Sequence, residues 1–123
     1  MVDDEVRYLA DGLNEIELNP KVRFLETEDE YYRIRRTFPK LAILFTVRWD
    51  SASKLARWTF HRLAWHLHTY LPMVEIDCFD WTDLCEKENI IQWPTLILAE
   101  SLTESKTYRG STNEQEMKLK LFR

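Results

Sequence analysis

Two cysteines, Cys78 and Cys85, are the residues best suited to covalent chemistry, and six residues separate them. Two thiols can form one bridge, one pair of buried thiols or one redox couple. A thiol that starts disulfide exchange must be exposed and easily ionised, whereas Asp77, Asp80, Asp83 and Glu86 crowd this pair and would hold the proton on sulfur. Catalysis by Cys78 and Cys85 is therefore not expected from their neighbours. His61, His66 and His68 share one helical stretch, but ligation from a helix face needs i, i+4 spacing, and these are five and two apart. Only His61 and His68 share a face, so surface or half-buried histidines are expected and no metal site. Ser51 and Ser53 lack a base at a motif spacing, which leaves a hydrolase without support.

The elements that must position these groups follow from apolar spacing. Val6, Leu9, Leu13 and Ile16 predict an amphipathic helix over residues 3–16 that ends near Asn19 and Pro20 and stands outside the main fold. Strands are expected at Lys21–Leu25, Leu41–Val47, Met73–Cys78, Thr95–Ala99 and Lys106–Arg109. Helices are expected at Glu28–Thr37, Ser51–Leu71, Asp80–Asn89 and Ser111–Phe122. The run LAILFTV shows little alternation, as a strand covered on both faces would. The order of elements implies parallel strand pairs joined by crossover helices and closed by one antiparallel hairpin, an α/β fold. Residues 1–20 are read as an N-terminal helical extension and 21–123 as the domain proper.

The chain has 123 residues, 45% of them hydrophobic, with five tryptophans. That suffices for one core and not for two domains. No stretch approaches the roughly 18–20 apolar residues of a membrane helix, and the acidic start MVDDEVRYLADG does not read as a signal peptide. The net charge of −4 hides a segregation: residues 1–30 hold ten acids against Arg7, Lys21 and Arg23, while residues 31–62 hold eight bases against Asp50. A nucleic-acid domain usually carries a basic total, so no nucleic-acid partner is expected. With only two glycines, Gly110 marks either a simple turn or a place of special backbone geometry.

LAILFTVRWDSASK, over residues 41–54, resembles the buried strand and active-site turn that protein disulfide isomerase domains end in W-C-G-H-C-K. Trp49 and Lys54 match, and Asp50 and Ser53 stand where the cysteines would be. VEIDC at 74–78, LCEKENI at 84–90, WPT at 93–95 and YRG at 108–110 also resemble those domains, with agreeing spacings. The resemblance covers residues 21–122 and implies a thioredoxin fold: a central mixed sheet flanked by helices, here with the extra N-terminal helix. The wording DC-x-DWTDLC-x-K-x-N looks most like a domain of an endoplasmic-reticulum thioredoxin domain-containing protein.

In that family the first cysteine sits at a helix N-terminus, where dipole and free N–H groups stabilise its thiolate. Asp50 and Ser53 cannot start exchange. Asp50 or Ser51 can instead cap the helix, which is worth about 1 kcal/mol. Leu44 stands where many active members carry a buried proton-transferring glutamate, and Arg48 where many carry proline. Residues 49–53 (Trp49, Asp50, Ser51, Ala52, Ser53) are thus expected to be a degenerate active-site turn. Cys78 and Cys85 resemble a structural disulfide beside the active site of some disulfide isomerase domains; they would be free buried thiols in a cytosolic protein. Pro94 is cis in the family, and its loop can pair with an extended peptide as an added strand. Trp49, Ala52, Trp93, Pro94 and Thr95 would then form a peptide-binding groove, although Trp49 could equally pack beneath the turn.

These readings lead to the expectation of a non-catalytic module, not an enzyme, that binds a polypeptide or docks a domain in the endoplasmic-reticulum lumen, without cofactor or metal. Two alternatives stay open. One is a cytoplasmic or nuclear adaptor similar to spliceosomal thioredoxin-like proteins. The other is a thiol–disulfide oxidoreductase using Cys78 and Cys85. The sequence leaves the partner's identity and the oligomeric state open.

Overall fold

A computed structural model describes residues 18–100, 104–110 and 114–121. The helix expected over residues 3–16 lies outside the described residues, as do both ends of the helix expected over 111–122.

The chain runs β1 (Val22–Phe24), α1 (Glu28–Thr37), β2 (Leu41–Thr46), α2 (Ser51–Leu67), β3 (Met73–Asp77), α3 (Thr82–Lys87), β4 (Thr95–Ala99), β5 (Ser105–Arg109) and α4 (Glu114–Leu121). The five strands form one sheet in the order β1-β3-β2-β4-β5. β3 pairs in parallel with β1 and β2, and β4 pairs antiparallel with β2 and β5. This is the expected mixed sheet, with parallel pairs bridged by helices and a closing hairpin.

Every residue of β2 is buried, which explains its unbroken apolar run. Leu41, Ile43 and Phe45 pack on one face with Tyr31 and Ile34 of α1 and Leu84 and Cys85 of α3. Ala42 and Leu44 pack on the other with Ala56, Phe60 and Leu63 of α2 and Met117 and Leu121 of α4. Two clusters of this kind, one per face, hold the sheet by removing apolar area from water at about 25 cal/mol per Å². The amphipathic α1 is capped by Thr27, whose hydroxyl accepts from Glu30 N–H at 3.1 Å. Its first turn carries Glu28, Asp29 and Glu30 and its last Arg35 and Arg36, so its charges suit its dipole at both ends.

Element ends differ from expectation by a few residues. α2 stops at Leu67 and not Leu71, because residues 68–71 turn toward Pro72, whose ring disfavours helical geometry in the residue before it. α3 is shorter than Asp80–Asn89: it begins after Trp81, which sits outside helical geometry, and Asn89 has a left-handed φ of 58°.

Candidate functional site

The turn between β2 and α2 is built by its own side chains. Asp50 is the N-cap of α2, its Oδ2 accepting from Ser53 N–H at 2.8 Å. Its backbone N–H donates to Val47 O at 2.9 Å, and its C=O accepts from Lys54 N–H at 2.9 Å. Ser53 is fully buried, and its Oγ accepts from Val47 N–H at 3.1 Å. The carboxylate and the hydroxyl therefore brace the helix start. Ser51, the other candidate cap, is exposed, and Ala52 is half-buried.

Trp49 does not pack beneath the turn. It is 58% exposed, and its ring meets Phe79 edge-to-face with centroids 4.7 Å apart. The sequence reading left Phe79 out; an exposed aromatic straight after a buried strand was the available signal. The Trp93–Pro94 peptide is cis, and Trp93 is exposed. Pro94 O accepts from Gly110 N–H at 2.9 Å, and Gly110 makes that approach with φ of +90°, a region that favours glycine. Thr95 is fully buried, its hydroxyl donates to Gln92 O at 2.8 Å, and it pairs with Phe45 on one side and Arg109 on the other, so it does not line a groove as expected.

Cys78 and Cys85 are joined as a disulfide, with Cα atoms 5.8 Å apart. The bridge links the residue after β3 to the middle of α3, and both cysteines are buried, at 6% and 5% exposure. The acids around it are not loose charges. Arg48 donates from Nε to Asp77 at 2.8 Å and from Nη2 to Asp80 at 2.7 Å. Asp77 also accepts from Phe79 N–H at 2.9 Å, and its C=O accepts from the N–H groups of Asp80 and Trp81 at 3.0 Å each. One arginine thus ties the end of the β2–α2 turn to the segment that carries the bridge. Two of the four carboxylates expected to keep the thiols protonated are offset by a guanidinium.

A second polar cluster lies under α2, and the sequence reading missed it. Glu75, buried on β3, forms an ion pair with Arg57 of α2 at 2.5 Å and accepts from Thr46 Oγ1 at 3.1 Å. His61 Nδ1 accepts from Asn19 N–H at 3.0 Å, which places the ring proton on Nε2, where it is donated to Glu75 at 2.7 Å. His61 is therefore a core residue and not a surface or half-buried one. The register sets Glu75 beside Leu44, so a buried carboxylate does sit at this depth, one strand over. Its partners make it a structural centre of the α2 side.

Among the described residues no group of three or more His, Cys, Asp or Glu side chains could hold a metal ion, and no helix is long and apolar enough to cross a membrane.

The thioredoxin family model matches residues 22–122. Solved structures similar in fold include mitochondrial thioredoxin 3 from Saccharomyces cerevisiae, with a TM-score of 0.72 and 17% identity over 82% of this chain and 93% of that one. Thioredoxin from Trypanosoma brucei brucei gives 0.74 and 20% over 84% and 89%. Plasmodium falciparum thioredoxin gives 0.74 and 20% over 82% and 97%. No curated protein matches the chain by sequence.

The expectation of a non-catalytic module that is not an enzyme is corrected by these findings. It rested on positions 50 and 53 and on unpaired acids beside the cysteines. The thioredoxin fold here carries a formed cysteine couple at other positions, Cys78–Cys85, so the two cysteines are joined and not idle single thiols. The physical reason for the error is Arg48, whose pairing with Asp77 and Asp80 no local reading could supply. In its strand order, its cis-proline loop and its match over residues 22–122, this chain belongs to the thioredoxin family.

Proposed function

We propose that this domain is a thiol–disulfide oxidoreductase whose couple is Cys78–Cys85 and whose substrate is a polypeptide dithiol or disulfide. The observation that carries the proposal is the closed bridge beside the exposed Trp49–Phe79 pair, in a thioredoxin fold. In the oxidising direction a client thiolate attacks one bridge sulfur, the Cys78–Cys85 bond breaks and the other cysteine leaves as thiolate. A second client thiolate then attacks the client sulfur of the mixed disulfide and expels the first cysteine. The client loses two electrons, the domain gains them as a dithiol, and the protons pass through water. Because both sulfurs are buried, attack has to await an opening of segment 78–85.

The client would lie on Trp49, Ala52, Trp93 and cis-Pro94, with its backbone along the loop. Pro94 O already accepts from Gly110, and Thr95 lies between β2 and β5, so an added strand would pair at Trp93. The motif resemblance and a bridge suited to an oxidising compartment support the endoplasmic-reticulum lumen as the place of action.

The test uses Cys78→Ser and Cys85→Ser single variants with a disulfide-bearing peptide under mass spectrometry, beside the reduced wild type. At least one variant is expected to trap a peptide mixed disulfide, and the wild type to reduce the peptide without retaining it. Trp49→Ala should lower peptide capture and leave reactivity toward a small aromatic disulfide unchanged. The proposal fails if neither variant forms a mixed disulfide and the wild-type bridge survives millimolar dithiol for hours.

A further inference from the structure

β5 is an edge of the sheet, and its residues are exposed save Tyr108, which is half-buried. The hydrogen-bond register shows which of its backbone groups are open. Glu100 N–H donates to Glu104 O and Gly110 N–H donates to Pro94 O, each at 2.9 Å, so these facing residues are hydrogen-bonded pairs. Such pairs alternate along an antiparallel ladder, which gives Leu98–Lys106 and Leu96–Tyr108 the same character. Ser105, Thr107 and Arg109 fall between them and turn their N–H and C=O groups away from β4, along the open edge. A row of this kind is a template for a further strand.

Alternation sorts the side chains as well. Ser105 and Thr107 line a cleft of about 430 Å³ whose other walls include Tyr32, Arg35 and Arg36 of α1 and Glu88. Arg109, two residues beyond Thr107, stands on the same face of the strand. Lys106 stands on the opposite face and pairs with Glu100 at 3.5 Å, so it adds no free charge to the cleft.

Charge identifies the occupant. Within the cleft Arg35 and Glu88 answer each other at 3.3 Å, and Glu88 also accepts from the Tyr31 hydroxyl. Arg36 and Arg109 are exposed, and neither makes an ion pair or hydrogen bond with the described residues. The unmatched charge along this edge is therefore of one sign. Charges on an edge strand ordinarily keep other strands away, but charges of one sign admit a strand that carries the other. A second copy joined antiparallel about Thr107 would set its Arg109 opposite Ser105, beside the cleft of Arg36, where like charges oppose it.

We propose that an extended acidic polypeptide segment adds to β5 as a sixth strand. It pairs with the outward N–H and C=O groups of Ser105, Thr107 and Arg109 and turns its carboxylates toward Arg36 and Arg109. A residue opposite Thr107 holds its Cβ about 5 Å from that of Thr107, on the face that opens into the cleft. The interaction is independent of the redox chemistry assigned above.

The test is an NMR titration of the full chain at low salt with an acetylated hexapeptide of alternating glutamate and threonine, beside the same peptide with lysine in place of glutamate. Solvent exchange of the Ser105, Thr107 and Arg109 amides is expected to slow as the glutamate peptide is added. The amides of Lys106 and Tyr108, already bonded to β4, should change little. Thr107→Pro removes one outward N–H and leaves the β4 ladder whole, a place where an edge strand accepts proline. It should weaken binding at least about fivefold. Arg36→Glu, an exposed change outside both core clusters, should weaken it about as much. Unchanged exchange at millimolar peptide overturns the proposal, and so does undiminished binding in either variant or equal binding of the lysine peptide. Protection of the same amides that grows with protein concentration alone also overturns it, and would assign the edge to a second copy of the chain.

Discussion

Arg48 shows how a single side chain changes the meaning of its surroundings. Read as a replacement for a proline, it signals only a departure from the pattern of active relatives. In space it neutralises Asp77 and Asp80, the two carboxylates that flank Cys78 along the chain. Arg48 and Asp80 are half exposed, so the pairing is screened and worth about 0.2–1 kcal/mol. Its removal is nevertheless directional, because two uncompensated negative charges would then oppose formation of a thiolate at Cys78. In the reduced Arg48→Ala protein, alkylation of Cys78 at neutral pH is expected to slow by about 1.5- to 5-fold. Arg48→Lys should restore part of the rate, since the charge returns without the forked geometry. An unchanged rate in Arg48→Ala would show that the arginine only braces the turn.

Among the elements, α3 matters most to the couple because it carries Cys85, and α1 holds its far end. The Tyr31 hydroxyl donates to Glu88 just past α3 and accepts from Arg35 Nη1 at 3.0 Å, while Lys87 donates to Glu28 at 2.6 Å. Burial, reinforced by the Glu88 hydrogen bond, pushes the Tyr31 hydroxyl well above its ordinary range, so it stays neutral and available as a donor. Tyr31→Phe leaves the Arg35–Glu88 pair at 3.3 Å but removes the group between them. The variant should lose about 1 kcal/mol in urea unfolding, and amide exchange in α3 should quicken more than in α2. Reduction of the bridge by dithiothreitol should quicken with it, if opening of segment 78–85 limits access to sulfur. This element-level coupling was not legible along the chain. The apolar run of β2 and the alternation of strands and helices were, because periodicity is local. The meeting of Tyr31 with Glu88, of Arg48 with Asp77 and of Glu75 with Leu44 depends on which elements become neighbours. Spacing along a sequence carries no such information. Asp50 was readable as a cap for the opposite reason: its partner, Ser53 N–H, is three residues away.

For the whole molecule, a redox couple is useful only if both of its states are folded. The two core clusters lie on opposite faces of the sheet, and the bridge belongs to only one of them, at the end of β3. The α2 side has its own anchor in the Glu75, Arg57 and His61 cluster, which no change at sulfur touches. A bridge between residues seven apart constrains the unfolded chain only slightly. In the chain-entropy view a loop of that size contributes about 2.5 kcal/mol. Domains of this size have about 5–15 kcal/mol of stability, so the reduced form should keep most of it. The Cys78→Ser/Cys85→Ser chain is accordingly expected to keep its far-ultraviolet circular dichroism and cooperative urea unfolding, with a midpoint lowered by an amount equivalent to about 2–3 kcal/mol. Chemically reduced wild type should unfold at nearly the same midpoint as that variant, because each lacks only the cross-link. A collapse of cooperative unfolding in either would mean that the fold depends on the bridge, and a disulfide of that kind could not be opened and closed as a working couple.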